Sequence, residues 1–161
     1  MLDPCTFVIF GATGNLAAHK LLPALYQLER SGSLPDEMAV VGVGRRDWDD
    51  ELWRGEVEAL LRVNAREGSF DEKAFASFAK RLHFVEGNMR ERACYDALSV
   101  RIADDDRLPS ANLVFYLAIP PALFETVVCG LGDTGLAQDR EHVRIVVEKP
   151  LGHDLDSFRE I

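Results

Sequence analysis

The chain has 161 residues, 47% of them hydrophobic, which is enough to bury one sizeable core and makes a single domain the expectation. A formal net charge of −9 speaks against nucleic acid or an anionic membrane as the main partner, so an anionic ligand would need a local basic patch. The three cysteines (Cys5, Cys94, Cys129) lack disulfide or metal-ligand spacing, and neither a spanning apolar run nor a basic leader is present; the expected setting is a reducing cytoplasm.

In chain order, Phe7, Val8, Ile9 and Phe10 form a short apolar run that meets Gly11. Such a run reads as a central parallel strand, buried on both faces. Gly11, Gly14 and Ala17 then make a Gly-x-x-Gly-x-x-Ala turn. The first glycine permits a tight turn, the second lets the backbone approach a diphosphate, and the alanine keeps the following helix near the sheet. The free N–H groups of that helix's first turn face an anion. Glycine-rich turns without a nucleotide are common, so this fingerprint variant is only moderately specific by itself. Leu16–Arg30 carries a helical apolar face at Leu21, Leu22, Leu25 and Leu28, with Pro23 calling for a late start or a kink. Met38–Val43 is a second strand, stopped by Gly44. Asp49 or Asp50 caps a helix running to about Glu67, and Asp71–Lys80 is another, with Phe75, Phe78 and Ala79 inward. Leu82–Glu86 is a strand, Glu91–Ala103 a helix and Asn112–Ala118 a fourth strand; Pro120-Pro121 opens a loop or a helix toward Gly130 before a fifth strand at Arg144–Val147. This alternation predicts an α/β, doubly wound, Rossmann-like fold with a mostly parallel sheet, the whole of residues 1–161 forming one dinucleotide-binding domain.

In such folds an acid closing the second strand hydrogen-bonds the 2′-hydroxyl of NAD, whereas arginine accommodates the 2′-phosphate of NADP. Here the strand ends in Gly44-Arg45-Arg46, with no acid before Asp47. Guanidinium–phosphate forks are strong and directional, so the pattern favours NADP, with the Thr13 hydroxyl as a further donor; a solvated Arg-Arg pair on a turn is the plainer alternative. Ile119-Pro120-Pro121 after the fourth strand is a rigid, donor-poor loop that suits a wall against a flat ring, or simply a helix start. Glu148 and Lys149 at the end of the fifth strand are poorly explained by packing; Lys149 there suits a phosphate or a sugar hydroxyl, and Asp154 suits the cap of a next helix. Lys20 is a second cation that reaches toward the same crevice, or stays solvated. His153 reads as an ordinary loop histidine, and His19, His83 and His142 carry no ligand spacing, so no metal is expected.

Taken in order and spacing, GATGNLAAHKLLPALYQL, VVGVGRR, VFYLAIPP and VVEKPLGHDL resemble the N-terminal coenzyme domain of the glucose-6-phosphate dehydrogenase family, across essentially the whole chain. The resemblance implies that Gly11, Thr13, Gly14 and Leu16 line the dinucleotide phosphates, with Asn15 beside them among the cofactor-binding residues, and that Arg45 meets the 2′-phosphate. It places Ala118, Pro120 and Glu148 against NADP, and Lys20 and Lys149 at the glucose 6-phosphate end of the cleft. Asn15 stands where the family usually has aspartate, and Ala18-His19 where it has a more basic pair. The resemblance also implies that the catalytic histidine, the sugar-binding domain and the surface for homo-oligomers belong to a part of the family's length outside this chain, leaving no catalytic residue within it. A short-chain dehydrogenase is the weaker enzyme alternative: it requires Tyr-x-x-x-Lys, and Tyr26, Tyr95 and Tyr116 are followed four residues on by Arg30, Ser99 and Pro120. A non-catalytic NADP-sensing module is the alternative from another class.

Overall fold

The computed structural model describes residues 3–65 and 70–148. Five strands form one sheet: β1 (Cys5–Phe10), β2 (Met38–Gly44), β3 (Leu82–Glu86), β4 (Leu113–Leu117) and β5 (Val143–Val147). Their order is β3-β2-β1-β4-β5, and every pairing is parallel. The expected α/β doubly wound, Rossmann-like fold is therefore the observed one, with all of these strands parallel.

The apolar patterns follow from what covers each strand. β2, flanked by β1 and β3 and covered on both faces, is buried along its length. Val8 and Phe10 of β1 point to one core, with Tyr95, Leu98, Phe115, Val127 and Leu131. Ile9 points to the other, with Tyr26, Val40, Trp53, Val57, Phe75, Phe78 and Phe84. Accordingly α1 (Leu22–Arg30), α2 (Asp50–Asn64) and α3 (Glu72–Arg81) cover one face, and α4 (Arg92–Asp104) and α5 (Phe124–Asp133) the other. Large side chains such as Trp53, Phe78 and Phe115 are essentially sealed from solvent, and burial of each stabilises the fold by about 1.5–3 kcal/mol. β5, at the sheet edge, keeps Ile145 and Val146 more than a third exposed.

Local chemistry sets the helix boundaries. Pro23 has no N–H to give and stands in the first turn of α1; ahead of it, Ala17–Leu21 forms a π-helical segment. A widened turn tolerates the missing hydrogen bond and moves the start of the regular helix to Leu22, the late start that Pro23 calls for. Asp49 caps α2 by accepting Leu52 N–H at 2.8 Å, which releases Asp50 for a different task. α2 stops at Asn64, short of the expected Glu67, which lies outside the described residues. At the other end of the sheet, α5 is reached through a single 3-10 turn, Pro121–Leu123. The chain thus leaves β1 toward β2 and returns from β3 to β4 on β1's other side. Between the carboxyl ends of β1 and β4 the connections diverge, and a crevice opens there.

Candidate dinucleotide cleft

The floor of the crevice is the turn after β1. Gly11 has φ +83°, and a Cβ placed on it would lie 2.5 Å from the Ala118 carbonyl oxygen. Only glycine meets both conditions, the left-handed backbone and the near contact between two strand ends. Gly11 N–H and Ala12 N–H both donate to the Val43 carbonyl (3.0 and 3.2 Å), and Ala118 N–H donates to the Phe10 carbonyl at 3.0 Å. The ends of β1, β2 and β4 are therefore laced together. Gly14 N–H closes the turn on the Gly11 carbonyl at 2.9 Å, and Gly14's own carbonyl accepts from Ala18 N–H at 3.0 Å as the helix begins. Ala17 is wholly buried against the sheet. This is the close helix–strand packing expected of the third position of the fingerprint.

A cleft of about 390 Å³ stands over this floor, within the range of small-molecule sites. Gly11, Thr13 and Gly14 form one side, Gly44 and Arg45 a second, Asn88, Met89 and Arg90 a third, and Ala118, Ile119, Pro120 and Leu123 the fourth. Among the described residues, two guanidiniums and no carboxylate line it, on a chain whose net charge is −9. Among the described residues neither guanidinium forms an ion pair, whereas Arg54, Arg62, Arg81, Arg92, Arg101 and Arg107 all do. Arginines without an acid partner, lining a cleft in which no described residue is acidic and beside a helix N-terminus, are the chemistry of an anion site.

The structure brings together Gly11, Thr13, Gly14, Arg45, Ala118 and Pro120 of the residues expected from sequence. Asn15 and Leu16 begin the helix beside them without lining the cleft, and Lys20 is exposed on the π-helical segment. Glu148 sits at the end of β5 and accepts the Tyr116 hydroxyl. Burial, reinforced by that carboxylate, pushes the Tyr116 phenol up to about 12. Lys149, His153 and Asp154 lie outside the described residues. The Arg45-Arg46 pair divides: Arg46 stands over the Trp48 ring at 5.8 Å and lines an adjoining groove of about 660 Å³ with Trp48, Trp53 and Leu60, which shares Thr13 with the cleft. Asn88, Met89 and Arg90 were missed in the sequence. Their signal was Gly87 closing β3, because in a parallel sheet the loop after each strand points toward the same crevice.

Residues 8–161 match the family described as glucose-6-phosphate dehydrogenase, NAD binding domain. A glucose-6-phosphate 1-dehydrogenase of Mycolicibacterium smegmatis is 40% identical over 161 residues, covering 99% of this chain and 32% of that protein. One from Chlamydia pneumoniae is 36% identical over 166 residues, covering 98% of this chain and 32% of its own. The crystal structure of glucose-6-phosphate 1-dehydrogenase from Mycobacterium avium superimposes with a TM-score of 0.83 at 31% identity, over 98% of this chain and 32% of that one. A glucose-6-phosphate dehydrogenase solved in complex with its substrate glucose-6-phosphate gives a TM-score of 0.76 at 28% identity, over 98% of this chain and 33% of that one. The chain spans about a third of the length of the curated relatives it matches.

Proposed function

We infer that this chain, which belongs to the glucose-6-phosphate dehydrogenase NAD-binding domain family, holds NADP in preference to NAD. The further proposal is that it serves a protein that oxidises glucose 6-phosphate to 6-phosphoglucono-lactone. The observation that carries the NADP reading is the cleft itself: Arg45 follows β2 where an NAD site has an acid, and among the described residues no carboxylate lines the space around it. The residues fit the group. The Gly11–Gly14 turn and the first turn of the helix, with Asn15 and Leu16, supply N–H groups for the diphosphate, Thr13 supplies a hydroxyl, and Arg45 supplies a fork for the 2′-phosphate. Ala118, Ile119 and Pro120 form an apolar wall with few donors, suited to a flat ring. When bound, NADP supplies a hydride acceptor at its nicotinamide ring.

The relatives' names support the sugar phosphate as substrate of the whole protein, and so does the neighbouring structure's bound glucose-6-phosphate. Lys20 and Lys149 are proposed for the sugar-phosphate end and Glu148 for the cofactor side. The hydride-transfer base is proposed to lie in the part of the relatives' length that this chain does not span, about two thirds of it. The test is a fluorescence titration of this chain with NADP and NAD. A charge-assisted phosphate contact is worth roughly 1.5–3 kcal/mol, so NADP is expected to bind about ten- to a hundredfold more tightly, and Arg45→Ala to erase most of that preference. Equal affinity for the two dinucleotides in the unmodified chain would sink the reading.

A further inference from the structure

We propose that Arg90 is a second specificity-determining residue of the cleft, meeting the same 2′-phosphate as Arg45 from the β3 side; this rests on the NADP reading above. A phosphate monoester carries close to two negative charges and three acceptor oxygens at neutral pH. One guanidinium fork engages two of those oxygens and leaves charge over. Arg46 is engaged otherwise: it stands over the Trp48 ring at 5.8 Å and lines the adjoining groove, which shares Thr13 with the cleft, but does not line the cleft itself. Arg90 lines the cleft that holds Arg45, Thr13 and Gly14.

The backbone that carries Arg90 is held in place from several sides. Gly44 is in register with Glu86, and Gly87 N–H donates to the Gly44 carbonyl at 2.8 Å, so the chain leaves β3 directly beside Arg45. Asn88 then folds the loop back. Its Oδ1 accepts Arg90 N–H at 3.1 Å, its carbonyl accepts Glu91 N–H at 2.9 Å, and its Nδ2 donates to Glu91 Oε1 at 2.7 Å. Met89 is buried in the core, and its carbonyl accepts the Tyr95 hydroxyl at 2.6 Å. A loop tied at Gly87, Asn88, Met89 and Glu91 leaves only the Arg90 side chain free to reach a ligand. Among the described residues that side chain has no carboxylate or carbonyl partner, and no acid lines the cleft to compete with a phosphate. An arginine on a fixed backbone loses less freedom on binding than one on a loose loop, so its contact survives as affinity.

The test uses the full chain and four probes: NADP, NAD, adenosine 2′,5′-bisphosphate and adenosine 5′-monophosphate. Each is titrated against the unmodified chain, Arg90→Ala, Arg90→Lys, Arg45→Ala and the double variant, with circular dichroism melts as a check on the fold. Arg90→Ala is expected to weaken NADP and the bisphosphate by about tenfold while NAD and the monophosphate move less than about twofold, and Arg90→Lys is expected to restore part of the loss. The two alanine substitutions are expected to be less than additive, because both guanidiniums meet one phosphate. Equal weakening of all four probes would place Arg90 against the adenine or the backbone and overturn the proposal, as would no change in any of them. If Arg45→Ala erases the NADP preference and Arg90→Ala does not, this inference fails while the NADP reading stands. If the unmodified chain shows no preference, both fail.

Discussion

Around the start of β3, Asp50 Oδ2 accepts from Arg101 Nη2 at 2.7 Å and faces His83 Nδ1 at 3.3 Å, while its Oδ1 takes Phe84 N–H at 2.8 Å. Asp105 pairs with Arg101 at 3.3 Å and Arg107 at 2.6 Å, and Arg54 donates to the Leu82 carbonyl. At the carboxyl ends of β2 and β3, by contrast, Arg45 and Arg90 have no charged partner among the described residues. Both regions are rich in arginine and both border the same two strands. In the first, cations and acids answer one another and cover the backbone groups of an edge strand, which otherwise invites pairing with another chain. In the second, the cations are answered by no acid among the described residues. The acid partners differ between the two regions, and only the second lines the cleft, so substitutions in the two regions should separate stability from binding.

The largest effect is expected at Asp50. Asp50→Ala removes the acceptor of the Phe84 N–H and leaves Arg101 and His83 facing each other around a half-buried gap. Loss of one partner from such a network costs several kcal/mol when buried, so about 2–4 kcal/mol is expected here, read by urea denaturation. Cofactor affinity should stay within about twofold once the fold is confirmed. A stability loss below about 0.5 kcal/mol would show that water replaces the carboxylate freely and would break the comparison from the structural side.

Arg45→Ala should do the reverse. The expected loss of roughly 1.5–3 kcal/mol falls on NADP binding, with a melting temperature close to that of the unmodified chain. A large drop in melting temperature would show that Arg45 supports the β2 end, and the line between the two regions would dissolve.

A smaller effect is expected from pH. Burial, with Arg107 and Arg101 adding to it against Asp50 and Asp105, holds His83 below the usual histidine range. The unfolded chain therefore takes up a proton first as pH falls through about 6.5, so stability declines from there down to the folded-state pKa and this component then levels off. Asp50 contributes in a lower window. Burial pushes its carboxyl up, but the Phe84 N–H, Arg101 and His83 outweigh that and lower it. Its stabilisation is present above the unfolded carboxylate value of about 3.9 and is lost as pH falls through the lowered folded value. Urea midpoints measured from pH 8 to 5 should fall, and His83→Gln should flatten the slope between about pH 6.5 and 5.5. An unchanged slope in that variant would remove His83 from the account.

The smallest effect is expected at Arg46. Arg46→Ala takes a cation off the Trp48 ring and out of the neighbouring groove, so NADP affinity should move less than about twofold and stability by no more than about 0.5–1 kcal/mol. A tenfold loss of NADP affinity would place both consecutive arginines on one phosphate and sharpen the site differently.

Much of this was legible in the chain because it is local. Phe7–Phe10 reads as a central strand because it is a short, continuously apolar run, and it lies in β1; Asp71 before Glu72 and Gly11 after Phe10 set boundaries through hydrogen bonds and backbone angles of immediate neighbours. The fingerprint turn and Arg45 share a cleft because in a parallel sheet all strands end on one side, which makes Gly11, Thr13, Gly14, Ala118 and Pro120 converge whatever the loops do. The choice between Asp49 and Asp50 as the α2 cap was open in the sequence, since both suit the cap chemically. Only the arrival of Phe84 N–H and Arg101 from β3 and α4 assigns Asp50 elsewhere. His83 looked like a residue without chemistry until its burial among two acids and two arginines gave it a depressed pKa. The separation of Arg45 from Arg46, and the approach of Arg90 to the first of them, depends on how the chain turns after β2 and on the Gly87–Gly44 hydrogen bond between strands. Periodicity and capping are written into a few adjacent residues. The pairing of charges, and so which arginines are left for a ligand, is decided by contacts between segments tens of residues apart.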